Sequence, residues 1–525
     1  MVSKWIKRII YFLALIAMLI VGILNIVYIN QIANNEVSSI EYYGLFKLFT
    51  SFVIAGLIIG VSYGLQKIKI GKKVKIGFII IILILYAIVQ IVWILQSVAT
   101  PYADSEQLIV IAKEMINENG LSEYCTNYMA YYSQQIPLVA IMVILFKIFN
   151  TTSFAIFEYL NVICNVLTIL GLYFITKRIS EEHKCNKVLF WILSLTFIPI
   201  IMLATFVYGD FIGLAFAVWA IYFAMKYEKT DKIRNAVFTA ICISIACLFR
   251  MNYFIFAIAI GIYWFINVLD KKNKKETIKG IGVLTLLVLM IMIPSSFIKS
   301  AYTRKYNLPS EKSFSTVPYL YMGMSEGDYG NGWYNNQMGD TVYHLMNDEK
   351  EKAEELGEDV KNNLTERVKY LLQNPIYTAK FYTKKIITTW AEPTLEYGFY
   401  NTKYPQEVNI EEYFVANHVL NGRFYELSKV YQKALTYIIF IGAAIAVVAN
   451  RKKLDKEILL LILTFLGGFG FHILWEAKSR YIIPYIIILI PVSVVGIDII
   501  IQKIKDKLKN KKEEKEVKLL KEKQN

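Results

Sequence analysis

Histidine is the scarcest residue that could carry chemistry here, with four copies in 525 residues, at 183, 344, 418 and 472. Their spacing matches no zinc site, so no metal centre and no cofactor is read from the chain. Cysteine is scarce too. Of the five, at 125, 164, 185, 242 and 247, only Cys125 falls in a loop assigned below to the outer face, which excludes an outer disulfide framework. Cys242 and Cys247 lie in an apolar run and read as packing residues. No Gly-rich loop ends in Gly-Lys-Ser or Gly-Lys-Thr, which disfavours a nucleotide-driven pump. There is no inverted repeat, and no low-complexity segment apart from a charged tail.

Apolar residues are abundant. The chain is 56% hydrophobic with a mean hydropathy of +0.43, above the roughly 45–50% apolar content of globular proteins. Many windows of about 18 residues carry no charge, the mark of transmembrane helices. The fold class is an all-α polytopic membrane protein. The net charge of +15 is read through its distribution, since cytoplasmic loops collect Lys and Arg; nucleic acid is not an implied partner, and the lipid bilayer is. The run Ile9–Ile29 follows Lys4, Lys7 and Arg8, is long for a signal-peptide core and lacks a small-residue cleavage site, so it reads as a retained span. The abundance of Ile, Lys and Asn points to an AT-rich bacterial genome.

Charge parity orders the spans at about 9–29, 45–65, 76–99, 155–176, 188–207, 211–225, 236–249, 253–269, 280–298, 435–449, 457–475 and 481–500. That is about twelve crossings of a cell membrane with both termini cytoplasmic. The loop with Lys67, Lys69, Lys72, Lys73 and Lys75 is the strongest inner marker. The run 136–149 has about 14 residues, or about 21 Å, short of the roughly 30 Å hydrocarbon core. Parity also needs it not to cross, so it reads as re-entrant or interfacial, with a short tilted span as the alternative.

The chain divides accordingly. Residues 1–75 form two N-terminal spans, and 76–298 a core with an outer loop at 100–135. Residues 299–434 are too long for a connector and read as a small outer subdomain. It has turns around Gly327–Gly339, a charged helix from Asn347 to Leu372 and an interfacial segment from Pro375 to Trp390. Residues 435–501 return to the membrane, and 502–525, with ten Lys against five acids, form a basic cytoplasmic tail.

Polar residues close to apolar segments gather on the outer side. Asp104 and Glu106 follow the third span. Asp210 sits in a tight turn, Arg250 and Asn252 in a break between spans. His472, Glu476, Lys478 and Arg480 flank the last turn. Ionisable groups near membrane depth are costly and mark function. An acid can deprotonate a hydroxyl while cations hold a phosphate leaving group. Each has a plainer reading. Asp104-Ser105-Glu106-Gln107 fits a capping box, Glu106 a solvated first-turn acid, Asp210 a helix cap. Arg250 could snorkel to headgroups, Arg480 could anchor at the interface, and His472 reads best as a packed histidine.

The order of these features resembles a family. An apolar span is followed by an outer loop with an early Asp104-Ser105-Glu106. Tyr131-Tyr132-Ser133-Gln134-Gln135-Ile136-Pro137 then runs into a short segment ending Phe146-Lys147-Ile148-Phe149-Asn150. Tyr208-Gly209-Asp210 follows Pro199, and Ser479-Arg480-Tyr481-Ile482-Ile483-Pro484 stands near the end. Together, over about 76–500, they resemble GT-C fold membrane glycosyltransferases. The nearest groups are protein mannosyltransferases, lipid A aminoarabinose transferases and the dolichyl-phosphate-mannose-type family.

The resemblance implies transfer of a sugar, with inversion, from a polyprenyl-phosphate carrier to a glycan, lipid or protein acceptor of the cell envelope. It implies Asp104 as the base, with Glu106 as the alternative because Ser105 separates two acids that the family often has adjacent. It implies Lys478 and Arg480 as carrier-phosphate ligands, to which Asp210 and Arg250 add as candidate substrate-binding residues. No metal is demanded, because cations can offset the leaving-group charge. The family does not require the two preceding spans. The rival class is a transporter or flippase of lipid-linked glycans, and a third reading is a non-catalytic assembly partner. Whether Asp104 and Arg480 share one cavity separates them.

Overall fold

The computed structural model describes residues 2–33, 35–69, 71–117, 120–183, 185–309, 316–334 and 350–524. The turns expected up to Gly339 and the helix start expected at Asn347 fall partly outside the described residues.

Apolar runs become helices because a backbone withdrawn from water must pair its own N–H and C=O groups. Among the described residues, nine helices are long and apolar enough to cross a membrane, and up to 12 spans result if each of three bent pairs is one span. The protein is an all-α polytopic membrane protein. The bent pairs are Glu123–Tyr131 with Ser133–Phe149 at 90°, Lys187–Leu195 with Ile198–Thr205 at 44°, and Ser479–Ile487 with Ile490–Lys511 at 56°. The sharpest bend holds the short run read as re-entrant. Its corner is the 3-10 turn Ser133–Gln135, followed by Pro137 in the first turn of the next helix, where proline's missing N–H costs nothing.

Helices Leu45–Gln66, Lys72–Ser97 and Lys274–Lys305 keep most apolar side chains on the outside, Leu57, Ile80 and Phe297 among them. In water such surface would aggregate; against lipid it is the solvated face. Helix Asp210–Thr230 is enclosed instead, packed on Ile233–Phe249 and Ala155–Ile179. Two glycines permit the approach. A Cβ on Gly209 would overlap the Phe249 carbonyl, and one on Gly213 the Tyr253 ring.

Helix Gly422–Asn450 begins before the expected 435. The reason is internal pairing of its charges. The Lys433 ammonium, fully buried, donates to Asn25 Oδ1 at 3.0 Å, Asn25 O at 3.2 Å and Tyr28 O at 2.8 Å. The last span and the basic tail also join into one helix, Ile490–Gln524. The first two spans are linked by an antiparallel hairpin, Tyr28–Ile32 with Ser38–Tyr42, running from Tyr28↔Tyr42 to Ile32↔Ser38.

Candidate active site

A cavity of about 530 Å³ opens where several helix ends meet, lined by Asp104, Glu106, Arg250, Glu476, Lys478 and Arg480 among others. Asp104 and Arg480 therefore share one cavity. Four carboxylates (Glu36, Asp104, Glu106, Glu476) and three cations (Arg250, Lys478, Arg480) line it.

Asp104 opens helix Asp104–Ile116, but the cap position is Ala103, with φ 52°, and no side chain caps the helix. The capping-box expectation is corrected. Ser105 explains why. Its hydroxyl accepts from the Tyr102 N–H at 3.0 Å and donates back to Tyr102 O at 2.9 Å. That closed turn rolls Asp104 into the first helical position, where its carboxylate faces the cavity and accepts the Tyr128 hydroxyl at 3.0 Å. Glu106, exposed in the same first turn, lines the same cavity.

Asp210 caps nothing either. Its carboxylate bridges two guanidiniums: Oδ1 accepts Arg480 Nη1 at 3.0 Å and Oδ2 accepts Arg250 Nη1 at 2.9 Å. It stands behind the cavity wall, holding both arginines in it. The Arg250 guanidinium lies between the rings of Tyr208 and Tyr481, 4.9 Å from each centroid, so it is fixed in protein and does not snorkel. Arg480 is buried and stacks over Phe206 at 3.9 Å. Lys478 lies 4.0 Å over the Trp333 ring and 3.4 Å from Glu36 Oε1. His472 is buried among Phe471, Tyr481 and Tyr485 and does not line the cavity.

Several contributors went unread in the sequence. Glu396 Oε1 accepts the Arg480 N–H at 3.2 Å, and its Oε2 lies 3.9 Å from Arg480 Nε. Glu392 accepts the N–H groups of Thr394 and Glu396, both at 2.8 Å. In sequence these acids belong to a hydrophilic stretch and look solvated. The pair Glu392-Pro393-Thr394-Leu395-Glu396 directly after an aromatic, Lys-rich helix was the available signal. Glu36 belongs to the hairpin, far from every other site residue along the chain.

Burial shapes the charges. It raises the carboxyls of Glu392 and Glu476 above the usual range. It works against the Lys478 charge as well, but Tyr400 and the carboxylates of Glu396, Glu36 and Glu476 more than offset it and hold the amine above the ordinary lysine value. Lys385, buried beneath the loop, is pushed down to about 7. Its ammonium form donates to Gly323 O at 2.5 Å, Ile473 O at 2.8 Å and Trp475 O at 2.7 Å, tying down the chain that carries Glu476, Lys478 and Arg480.

A family described as conserved hypothetical integral membrane protein matches residues 1–498. The chain belongs to that family. No curated protein matches. Among solved structures, the chain is similar to the archaeal oligosaccharyltransferase AglB from Archaeoglobus fulgidus, in complex with an inhibitory peptide and a dolichol-phosphate. The TM-score is 0.40 and the identity 14%, over 83% of this chain and 52% of that one. This member of the family thus spans about half the length of that structure.

Proposed function

We propose that the protein is an inverting glycosyltransferase of GT-C type, moving a sugar from a polyprenyl-phosphate carrier to an acceptor hydroxyl on the outer face of the membrane. One observation carries the reading: a carboxylate, Asp104, opens into the cavity whose walls also present Arg250, Lys478 and Arg480. Asp104 takes the acceptor proton as the hydroxyl oxygen attacks the anomeric carbon from the face opposite the phosphate. The carbon–oxygen bond to phosphate breaks, its electron pair stays on the phosphate oxygen, and polyprenyl monophosphate leaves. The two arginines and Lys478 offset the charge that grows on that oxygen. Asp210 lets two guanidiniums stand side by side, which their mutual repulsion would otherwise oppose. Glu106 is the alternative base. The carrier's tail lies among the lipid-facing helices, and the acceptor is a glycan, lipid or protein of the cell envelope.

The test is an assay of the purified full chain with a panel of radiolabelled polyprenyl-phosphate sugars and envelope acceptors. Glycosylated acceptor and free polyprenyl phosphate are expected in equal amounts. Movement of a lipid-linked glycan across reconstituted vesicles with no bond cleavage would replace this reading with the flippase one.

A further inference from the structure

The hairpin that joins the first two spans is pinned on both flanks. The Asn30 N–H donates to Ala391 O at 3.1 Å, its side-chain amide donates to Thr388 O at 3.2 Å, and the Ser38 N–H donates to Tyr329 O at 2.8 Å. The rings of Tyr28 and Tyr42 stack with centroids 5.1 Å apart, and the Lys433 ammonium grips Tyr28 O. At the tip the Ala33 N–H donates to Val37 O at 3.0 Å, the Glu36 N–H donates to Ala33 O at 2.9 Å, and Glu36 takes a left-handed φ of 67°. A left-handed residue of this kind closes the turn of many short hairpin loops. The result is that Glu36 enters the cavity and its carboxylate meets Lys478.

This pair bears on the carrier phosphate. Trp333 occupies one side of the Lys478 ammonium and Glu36 another. A phosphate cannot gain the full attraction of that ammonium while a carboxylate stands 3.4 Å from it, because the two anions repel at short range in a partly desolvated site. Arg480 and Arg250 already share Asp210 behind the wall, so Lys478 is the cation whose partner comes from a separate, N-terminal element. Only the contact at the tip has to let go, while the flanks stay pinned to the bundle.

We propose that Glu36 is a clamp on Lys478: it holds the ammonium while the phosphate subsite is empty, and the anionic phosphate of an isoprenyl carrier displaces it, unlatching the hairpin tip from the cavity. Glu36 is thus a positioning residue that acts through Lys478. The proposal rests on the reading of Lys478 as a phosphate ligand. It gives the two N-terminal spans a task at the site.

Farnesyl phosphate is the probe, titrated against the full chain in detergent with farnesol as the uncharged control. Glu36→Gln is expected to tighten farnesyl phosphate binding roughly tenfold, as removal of a competing ion pair does. Glu41→Gln, on the same hairpin but paired with Gln31, leaves it unchanged. In the Lys478→Gln background the Glu36 substitution is expected to change nothing, which a structural loosening of the hairpin would not reproduce. Acylation of Lys478 by an amine-reactive reagent, followed by mass spectrometry, is expected to be faster in Glu36→Gln and slowed by farnesyl phosphate. Equal affinity in parent and Glu36→Gln overturns the clamp and leaves the carrier reading standing. Absence of farnesyl phosphate binding to both, with Lys478 acylation still faster in Glu36→Gln, overturns the carrier reading and the clamp with it.

Discussion

Asp104 occupies a position where aspartate ordinarily works as a helix cap, yet the cap is Ala103 and the carboxylate is turned to the cavity and the Tyr128 hydroxyl. Its contribution to folding is then limited to a charge at a helix N-terminus, about 0.3–1 kcal/mol. In the proposed mechanism it acts as a positioned general base, a role that typically contributes 10²–10⁴-fold. Asp104→Asn and Asp104→Ala should therefore melt close to the parent while both lose transfer by about that factor. A capping aspartate would behave otherwise, with Ala costing roughly 1 kcal/mol more than Asn. Glu106→Gln is the comparison. If it is dead while Asp104→Asn turns over at the parent rate, the base is Glu106. If both stay active, the outer-loop acids are structural and the mechanism fails.

At the scale of elements, the site depends on how closely helix Asp210–Thr230 approaches its neighbours. Gly209, at the cap, and Gly213, in the first turns of the helix, are four residues apart, the small-xxx-small spacing that lets backbones touch in a membrane. Gly213→Ala would drive a Cβ into the Tyr253 ring. That ring follows Arg250 by three residues, so relief of the overlap moves the arginine away from Asp210. A loss of about 1–3 kcal/mol is expected, as for overpacking generally, read as a lower melting temperature together with reduced transfer. Gly60→Ala, on a lipid-facing helix where a Cβ meets nothing within 4 Å, should be neutral or mildly stabilising. An unchanged melting temperature for Gly213→Ala would sink the close-packing argument. Legibility also divides at this scale. Span positions follow from hydropathy, because a run long enough to cross lipid is a local property of the chain. Tyr208-Gly209-Asp210 reads only as a turn, since what Gly209 and Gly213 touch lies roughly 40 residues away on another helix. Lys385 and Lys433 pair with carbonyls that are remote in sequence. Their charge therefore reads as hydrophilic surface when it is buried, which is why the span before the last two looks shorter than it is. Asp104, Arg250 and Arg480 were legible because each stands beside an apolar run, where an ionisable group is out of place. Glu36, Glu392 and Glu396 were not, because acids in polar stretches carry no such contrast.

At the scale of the whole molecule, charge separates the two ends of the bundle. Lys4, Lys452 and Lys453 converge with Asp270 and Glu228 around a second cavity of about 640 Å³. The helices that lead away from these Lys-rich turns end at the candidate site: Lys72–Ser97 starts among lysines and delivers Asp104, and Lys456–Leu474 does the same for Glu476 to Arg480. Because Lys and Arg are retained on the cytoplasmic side during insertion, we propose that this polarity turns the site to the outer face, where the acceptor and carrier phosphate of the proposed reaction would arrive. Single cysteines test it. Cys125, Cys164 and Cys247 are buried, so replacement of all five native thiols with Ala or Ser gives a silent background. In that background Glu123→Cys and Glu407→Cys, both exposed, should react with a membrane-impermeant maleimide on intact cells. Lys73→Cys and Lys274→Cys, also exposed, should react only after permeabilisation. The reverse pattern would turn the cavity to the cytoplasm, and a transferase fed by an outer-leaflet carrier could not work from there whatever its residues. Labelling of both sets on intact cells would mean that the lysine-rich turns do not stay inside, and the parity argument that places the short run 136–149 would fall with them.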